Sequence, residues 1–177
     1  DLLNVRYFMI PQLLPVDQQT EFHDLEDRFA PTLVGRPVSI PPMHVTAVTI
    51  ESYMSHSVDI PQGEVVAQIW LVSPDGNAIL LPLRAGYDTA EWAYDRSDVL
   101  EHIRHAKAPV VRSWPAWSGF PPEPHVGHTY GVTYLLQRVS EEGSPPGQGT
   151  DYPLVTQVRV QSMIPGAYLR VERILLE

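Results

Sequence analysis

Four histidines stand out first among the residues of this sequence that could do chemistry. They form two pairs with a spacing of three residues, His102 with His105 and His125 with His128. Imidazole nitrogens are common ligands of zinc and nickel. Arg104 and Lys107 flank the first pair, however, and their positive charges would repel a cation. We therefore expect no shared metal ion at these histidines, and no cofactor.

A cluster of aromatic side chains in the middle of the chain holds three of its four tryptophans. Its members fall within 29 residues and are Trp92, Tyr94, Trp114, Trp117 and Phe120. Flat aromatic faces beside hydrogen-bonding groups suit a sugar ring, which stacks on its apolar face and bonds through its hydroxyls. The predicted saccharide site comprises Trp92, Trp114 and Trp117 with Asp88, Glu91, Asp95 and Arg96 in reach. The alternative, favoured by how often tryptophan is buried, is that the rings are packed loop anchors.

Serine, histidine and acidic residues also occur here, but no sequence motif positions them for catalysis. Ser113 and Ser118 are near His125 in the sequence, and Glu91 could pair with a neighbouring aspartate as in a glycosidase. The chain has no G-x-S-x-G motif, no P-loop and no dinucleotide fingerprint. We therefore expect that this chain is not an enzyme, and we predict no catalytic residue.

The composition fits one globular domain of 177 residues and excludes several classes of protein. Eighteen prolines exclude a coiled coil or a long-helix protein, because proline breaks helix interiors. The net charge of −9 argues against nucleic acid as a partner, since phosphates require a basic face. The chain has no cysteine, and therefore no disulfide and no thiol chemistry.

Short strands with alternating apolar residues dominate the predicted secondary structure. They are predicted at residues 5–10, 45–52, 65–72, 78–83, 108–114, 128–139, 154–163 and 167–176. The last two are predicted to form a hairpin around Ile164-Pro165-Gly166, and the turn Pro74-Asp75-Gly76-Asn77 to form another hairpin. The alternation predicts that one face is buried, with the residues Val48, Ile50, Val66, Ile69, Leu81, Val132, Leu135, Val158, Val160, Val171 and Ile174.

The remaining segments are predicted to be mostly irregular. A short helix capped by Asp98 is predicted over residues 98–106, and an aromatic, proline-rich loop over 115–127. Residues 84–96 are predicted to form a rigid corner, with an ion pair between Asp95 and Arg96 as one way of holding it. Residues 18–29 fit either an amphipathic helix or an acidic loop, and residues 140–152 are the most disorder-prone.

Together these elements indicate an all-β fold, an antiparallel β-sandwich with one short helix and a Trp-rich loop insertion. Residues 1–43 are predicted to be an N-terminal strand and extended arm packed on the domain. Residues 44–177 are predicted to be the β-sandwich domain.

The opening residues Asp1-Leu2-Leu3-Asn4-Val5-Arg6-Tyr7-Phe8 resemble the LLNV-(R/K)-Y element that follows the last membrane-rich region of YfhO-like bacterial polytopic membrane proteins. The run from Arg84 to Arg96, with His102, His105 and Trp114-Pro115 after it, looks like a segment near their C-terminus. The closing pattern from Val158 to Leu176 is similar to their last hairpin. The resemblance implies a jelly-roll, galactose-binding-like sandwich on the extracytoplasmic face of the bacterial cell membrane.

These proteins are relatives of membrane glycosyltransferases that use lipid-linked sugar donors. The resemblance implies that the family's catalytic acid lies in the membrane part, which this chain lacks, so no catalytic residue carries over. It also implies that the membrane domain of the same polypeptide is a partner. Both ends of the sequence fit this expectation, because they look like cuts from a longer chain.

The expected function is that of a non-catalytic extracytoplasmic module of a membrane protein in cell-envelope glycan handling, which binds saccharide or docks on its own membrane domain. Two alternatives remain open: a purely structural or interaction domain without a small ligand, and a hydrolase that uses the His, Asp and Glu set between residues 88 and 128. A polar cleft beside an exposed tryptophan favours the first function, and buried tryptophans favour the second. A bound metal or a close Ser–His–acid triple favours the hydrolase.

Overall fold

Two antiparallel β-sheets form the body of the protein in a computed structural model, which describes Tyr7–Phe8 and residues 37–138 and 152–177. The elements are β1 (Tyr7–Phe8), β2 (Val38–His44), β3 (Ala47–Ser55), β4 (Val65–Val72), β5 (Ala78–Arg84), α1 (Ser97–Leu100), β6 (Val110–Ser118), β7 (Glu123–Leu135), β8 (Leu154–Ser162) and β9 (Tyr168–Leu176). The five-stranded sheet has the order β1-β9-β3-β7-β6, and the four-stranded sheet has the order β2-β8-β4-β5. The predicted all-β class is confirmed.

The core lies between the two sheets and is built from the inward-facing residues of both. Nine of the predicted core residues are buried, namely Val48, Ile50, Val66, Ile69, Leu81, Val158, Val160, Val171 and Ile174. Val132 is half-buried and packs against the same core. The prediction for Leu135 is wrong, because its side chain is 82% exposed. Tyr134 takes the inward position instead, and alternation along the strand turns its neighbour to solvent.

The last two strands do not form the predicted hairpin. β8 pairs with β2 and β4 in one sheet, whereas β9 pairs with β1 and β3 in the other. Ile164 and Ala167 in the connection are buried, so the chain crosses the edge of the core between the two strands. A hairpin within one sheet and a connection between two sheets give the same strand–turn–strand pattern in the sequence. The pattern indicates the turn but not the strand with which each strand pairs.

The predicted loop over residues 115–127 is instead most of a β-hairpin made by β6 and β7. Pro115 faces Val126 and Trp117 faces Pro124 in this hairpin. Proline cannot donate to a ladder, but β6 is the edge strand of its sheet, where a missing donor costs nothing. Pro124 lies in the part of β7 that extends beyond its pairing with β3.

The predicted helix over residues 98–106 is also shorter, since α1 is a single turn. Asp98 is not its N-cap, because that position belongs to Arg96, which makes no side-chain capping bond. The chain then leaves the helical path because the Arg104 N–H donates to the carbonyl of Val58 and the His105 ring bonds to that of Ile60.

The β2 strand crosses the predicted boundary at residue 43 and pairs with β8, so the end of the predicted arm is a strand of the sandwich. The prediction for residues 18–29 lies outside the described residues. So does the prediction for residues 140–151.

Candidate functional site

A three-residue segment, Ala90 to Trp92, fills the gap where β3 and β7 separate. The Met54 N–H donates to the carbonyl of Ala90, and the Trp92 N–H donates back to that of Met54, both at 2.8 Å. On the other side, the His128 N–H donates to the carbonyl of Trp92 at 2.9 Å. This wedge positions Glu91 and Trp92, whose side chains alternate as in a strand.

The predicted rigid corner before the wedge is held by Asp88. Its carboxylate is buried and accepts hydrogen bonds from the Arg84 N–H at 2.8 Å and from Arg84 Nε at 2.9 Å. Gly86 supports the turn with a φ of +74°, a conformation that favours glycine. The Asp88 carboxylate therefore stabilises the corner, where its hydrogen bonds are made with Arg84. The suggested ion pair between Asp95 and Arg96 does not form, because each bonds elsewhere.

Four rings form an aromatic stack along the wedge and the hairpin: Tyr53, Trp114, Trp92 and His125. Trp92 and Trp114 are nearly parallel, at 4°, with ring centroids 6.3 Å apart. His125 lies 5.1 Å from Trp92, and Tyr53 lies 6.0 Å from Trp114. Gly127 makes room for this stack, since a Cβ there would lie 2.5 Å from the Trp114 ring.

Trp117 is separate from the aromatic stack. It is 68% exposed, and Phe120 at the hairpin turn is fully exposed. The structure therefore brings two of the three predicted tryptophans together and leaves the third on the surface of the hairpin.

A cleft of about 550 Å³ opens beside Trp92. Its polar and aromatic lining includes Glu91, Trp92, Arg96, Asp98, His102 and Ser118. Three of the seven predicted site residues therefore line one cleft, whereas Asp88, Asp95, Trp114 and Trp117 do not line it. His56 also lines the cleft, with a φ of +60°, which is uncommon for a residue other than glycine and is a feature of functional sites.

The charged groups of the cleft are arranged around Arg96. Its guanidinium donates to both carboxylate oxygens of Asp98, at 2.5 Å and 3.1 Å, and to Ser118 Oγ at 2.9 Å. The hydrogen bond from Arg96 lowers the pKa of Asp98, which keeps it ionised. The sequence did not identify Asp98, His102 or Ser118 as parts of this cleft, because the turn of α1 and the strand pairing bring them together.

Glu91 is the buried acid of the cleft. Its Oε2 accepts hydrogen bonds from the Ser57 N–H at 2.9 Å and from Ser57 Oγ at 2.8 Å. Burial raises the pKa of Glu91, and these hydrogen bonds offset only part of that rise. The carboxyl group is thus closer to neutrality than a solvated glutamate.

The four histidines bond separately. His102 Nδ1 lies 2.9 Å from the carbonyl of Asp98, and His105 Nδ1 lies 3.0 Å from that of Ile60. Burial lowers the pKa of His105. His125 and His128 each pair with a serine of β6. Within the described residues, no group of three or more His, Cys, Asp or Glu side chains could hold a metal ion.

A Ser–His–Asp triple joins the β6–β7 hairpin to Asp95 in the segment before α1. Ser113 Oγ is 2.9 Å from His128 Nδ1, and His128 Nε2 is 2.7 Å from Asp95 Oδ2. Lys107 Nζ donates to both oxygens of Asp95, at 2.6 Å and 2.7 Å. Burial acts to raise the pKa of Asp95, but the hydrogen bonds from Lys107 and His128 outweigh it and lower that pKa.

No known protein family matches this chain, and neither the curated proteins nor the solved structures contain a match. Among the described residues, no helix is long and apolar enough to cross a membrane. The fold and the cleft therefore define an all-β domain of two antiparallel sheets with a polar and aromatic cleft beside Trp92.

Proposed function

We propose that this domain binds a saccharide in the cleft beside Trp92. The observation that carries the proposal is the convergence of an indole ring, a guanidinium, an ionised carboxylate, an imidazole and a hydroxyl around one opening. The apolar face of a sugar ring stacks on an aromatic side chain, and its hydroxyls need both donors and acceptors. Arg96 and Ser118 can donate, and Asp98 accepts.

The size of the cleft supports a small ligand. Its volume of about 550 Å³ is within the range of small-molecule sites. The cleft is open, and each non-hydrogen ligand atom contributes at most about 0.3–1.5 kcal/mol. We therefore expect a dissociation constant on the order of 1 mM for a single sugar, which corresponds to about −4 kcal/mol.

The order of the strands supports the finer proposal that the sandwich is a jelly roll. In both sheets, strands from the beginning of the chain lie beside strands from its end, as in β1-β9-β3-β7 and β2-β8-β4-β5. Two interlocked Greek keys give this nesting, and β6 is then an added edge strand. Lectin domains use this architecture, but a shared fold is not evidence of function.

The proposed cellular context is the extracytoplasmic face of a bacterial membrane, as a module of a membrane protein that handles cell-envelope glycans. Its support is the resemblance of the opening and closing sequence patterns to YfhO-like proteins, from which the galactose-binding-like type also follows. The sequence of the gene on either side of this chain tests this context. Many apolar spans upstream are expected, and their absence from the complete gene would overturn it.

The second candidate is an interaction domain without a small ligand. The observation that favours it is the exposure of Trp117 and Phe120 on the hairpin, since large apolar side chains in solvent mark contact surfaces. The two candidates differ in whether sugar shifts the NMR signal of Trp92.

A titration of cell-envelope sugars, followed by NMR of the indole N–H groups, tests the saccharide proposal. Millimolar sugar is expected to shift the Trp92 signal. Asp98→Asn is expected to weaken binding about tenfold, because a hydrogen bond to a charged group contributes about 1.5 kcal/mol, and His102→Ala is expected to weaken it less. Trp117→Ala is the matched control, since this tryptophan lies outside the cleft and its loss should leave binding unchanged.

Two results would contradict the saccharide proposal. One is the absence of any Trp92 shift at millimolar sugar, with the folded spectrum intact. The other is a response that Trp117→Ala abolishes and that the cleft variants do not change, which would move the ligand to the hairpin surface.

A further inference from the structure

The ionised Asp95 determines which tautomer a neutral His128 imidazole adopts in this triple. The Asp95 carboxylate is ionised and can only accept, so His128 Nε2 carries the proton of that 2.7 Å bond. In the neutral imidazole, His128 Nδ1 then presents a lone pair to Ser113 Oγ at 2.9 Å. The serine hydroxyl therefore donates to the imidazole, which is the arrangement that a general base requires.

The same pairing leaves the backbone N–H of Ser113 on the open edge of the sheet. The His128 N–H donates to Trp92, on the side of β7 away from β6. Ser113 lies directly opposite His128, so theirs is a pair of the kind that exchanges no backbone hydrogen bonds. The Ser113 N–H consequently points away from β7, and no strand of the described residues flanks β6 on that side.

A reactive serine needs an accessible hydroxyl group and rigidly held partners, and both conditions are met here. Ser113 is exposed, whereas His128 is 5% exposed and held on three sides by Ser113, Asp95 and the wedge. Lys107 fixes Asp95 in turn through both carboxylate oxygens. The hydroxyl is open to a substrate, and the groups behind it have little freedom to reorient.

We propose that Ser113, His128 and Asp95 form a second site, which hydrolyses carboxylic esters through an acyl-serine intermediate. Ser113 is the nucleophile, His128 the general base and acid, and Asp95 a positioning residue for His128. The site is separate from the saccharide cleft and does not depend on the proposed function. It would make the domain an enzyme, contrary to the expectation from the sequence.

The chemistry needs only the ester and water. Ser113 Oγ attacks the carbonyl carbon while its proton passes to His128 Nδ1, and the Ser113 N–H stabilises the oxyanion. The tetrahedral intermediate expels the alcohol, whose oxygen takes the proton from Nδ1, and the acyl group stays on Oγ. Water then gives a proton to Nδ1 and adds to the acyl carbon. The carboxylic acid leaves as Oγ recovers that proton.

A neighbouring Ser–His pair shows why the triple is the better candidate. Ser118 Oγ is 2.7 Å from His125 Nε2, but it also accepts from the Arg96 guanidinium. His125 Nδ1 is buried with no hydrogen-bond partner among the described residues. His125 therefore has no carboxylate to orient it, and Ser118 has a cation that occupies its lone pair.

The test combines turnover of p-nitrophenyl acetate with labelling by a fluorophosphonate and peptide mass spectrometry. The wild-type protein is expected to hydrolyse the ester above the buffer rate and to carry the label on Ser113. Ser113→Ala should reduce turnover about 100-fold or more and abolish the label. Ser39→Ala is the matched control, because Ser39 is exposed on the edge strand β2 but faces Gln157 instead of a histidine.

The role of Asp95 has its own measurement. Asp95→Asn is expected to lower kcat and leave KM unchanged, and Asp95→Glu is expected to recover part of the loss. The proposal is overturned by a wild type that neither turns over the ester nor takes the label. Undiminished turnover in Ser113→Ala, in a protein whose NMR spectrum is folded, also overturns it, as does a label on Ser118.

Discussion

Glu91 is the residue at which burial and charge conflict most clearly. The side chain is 4% exposed, and its hydrogen-bond partners are neutral groups, Ser57 and the backbone of Ala93. Removing a carboxylate from water costs free energy unless a charge or several donors compensate it. We therefore expect the buried Glu91 to make the stability of the protein depend on pH.

Glu91→Gln is expected to change how stability depends on pH. The folded-state pKa is above the usual 4.5, so the folded protein binds more protons than the unfolded chain as the pH rises from 4.5. The contribution of Glu91 to the free energy of unfolding is therefore full below pH 4.5 and is lost as the pH rises through the raised pKa. Urea denaturation of both proteins between pH 4 and 8 measures it, and the wild type should lose stability relative to Glu91→Gln. A constant difference would contradict the raised pKa.

Contacts between individual residues could be predicted from the sequence only where the residues are close together in the chain. The aromatic cluster was visible because its members are close in the chain, and Trp92 and Trp114 do stack. Ser113 is near His125 in the sequence, but strand register places it opposite His128. A one-residue difference in register selects a different partner, and no local signal specifies it.

The β6–β7 hairpin is the element that carries most of the unexpected structure. Its strands contain two prolines, and a proline-rich pattern predicts a loop. The edge position of β6 removes the penalty for Pro115, and this position follows from the whole sheet and not from residues 115–127. The β4–β5 hairpin, by contrast, was predictable because its turn residues act locally, with Gly76 at a φ of +85°.

Gly127→Ala is expected to destabilise the protein by about 1–3 kcal/mol, the usual cost of overpacking. The new methyl group would lie 2.5 Å from the Trp114 ring, which the aromatic stack holds in place. Gly131→Ala is the matched comparison on the same strand. Its methyl group would meet the end of the Val111 side chain at 2.4 Å, but Val111 is 52% exposed and can rotate away.

Urea denaturation of the two alanine variants gives the free energies, and the loss for Gly131→Ala should be below about 1 kcal/mol. Equal losses would show that Trp114 is as free to move as Val111. A larger loss for Gly131→Ala would contradict the packing of the stack.

For the whole molecule, the alternation along each strand decides which residues support the sandwich. Leu135→Ala should change the free energy of unfolding by less than about 0.5 kcal/mol, as is usual at exposed positions. Leu169→Ala, the same substitution at a fully buried position, should cost about 2–5 kcal/mol. Thermal and urea denaturation measure both. A loss above about 2 kcal/mol for Leu135→Ala would reverse the assigned faces of β7 and restore the prediction from the sequence.

The fold class was predictable because period-two patterning is local and recurs in every strand. The pairing of the strands was not, since β8 and β9 meet partners far away in the chain. Hydrophobic patterning specifies which face is buried, but it does not say which of two sheets a strand joins.

The wedge from Ala90 to Trp92 contacts both proposed sites. Its carbonyl at Trp92 anchors the backbone of His128, Trp92 also lines the cleft, and two further backbone hydrogen bonds join the wedge to Met54 in the body of the sheet. The outer half of the hairpin is joined to the sheet through this wedge, and to the segment around α1 through the bonds of Arg96 to Ser118 and of Ser97 to Glu123. Because one peptide group links Trp92 to His128, a substitution that displaces the wedge is expected to disturb both proposed sites together.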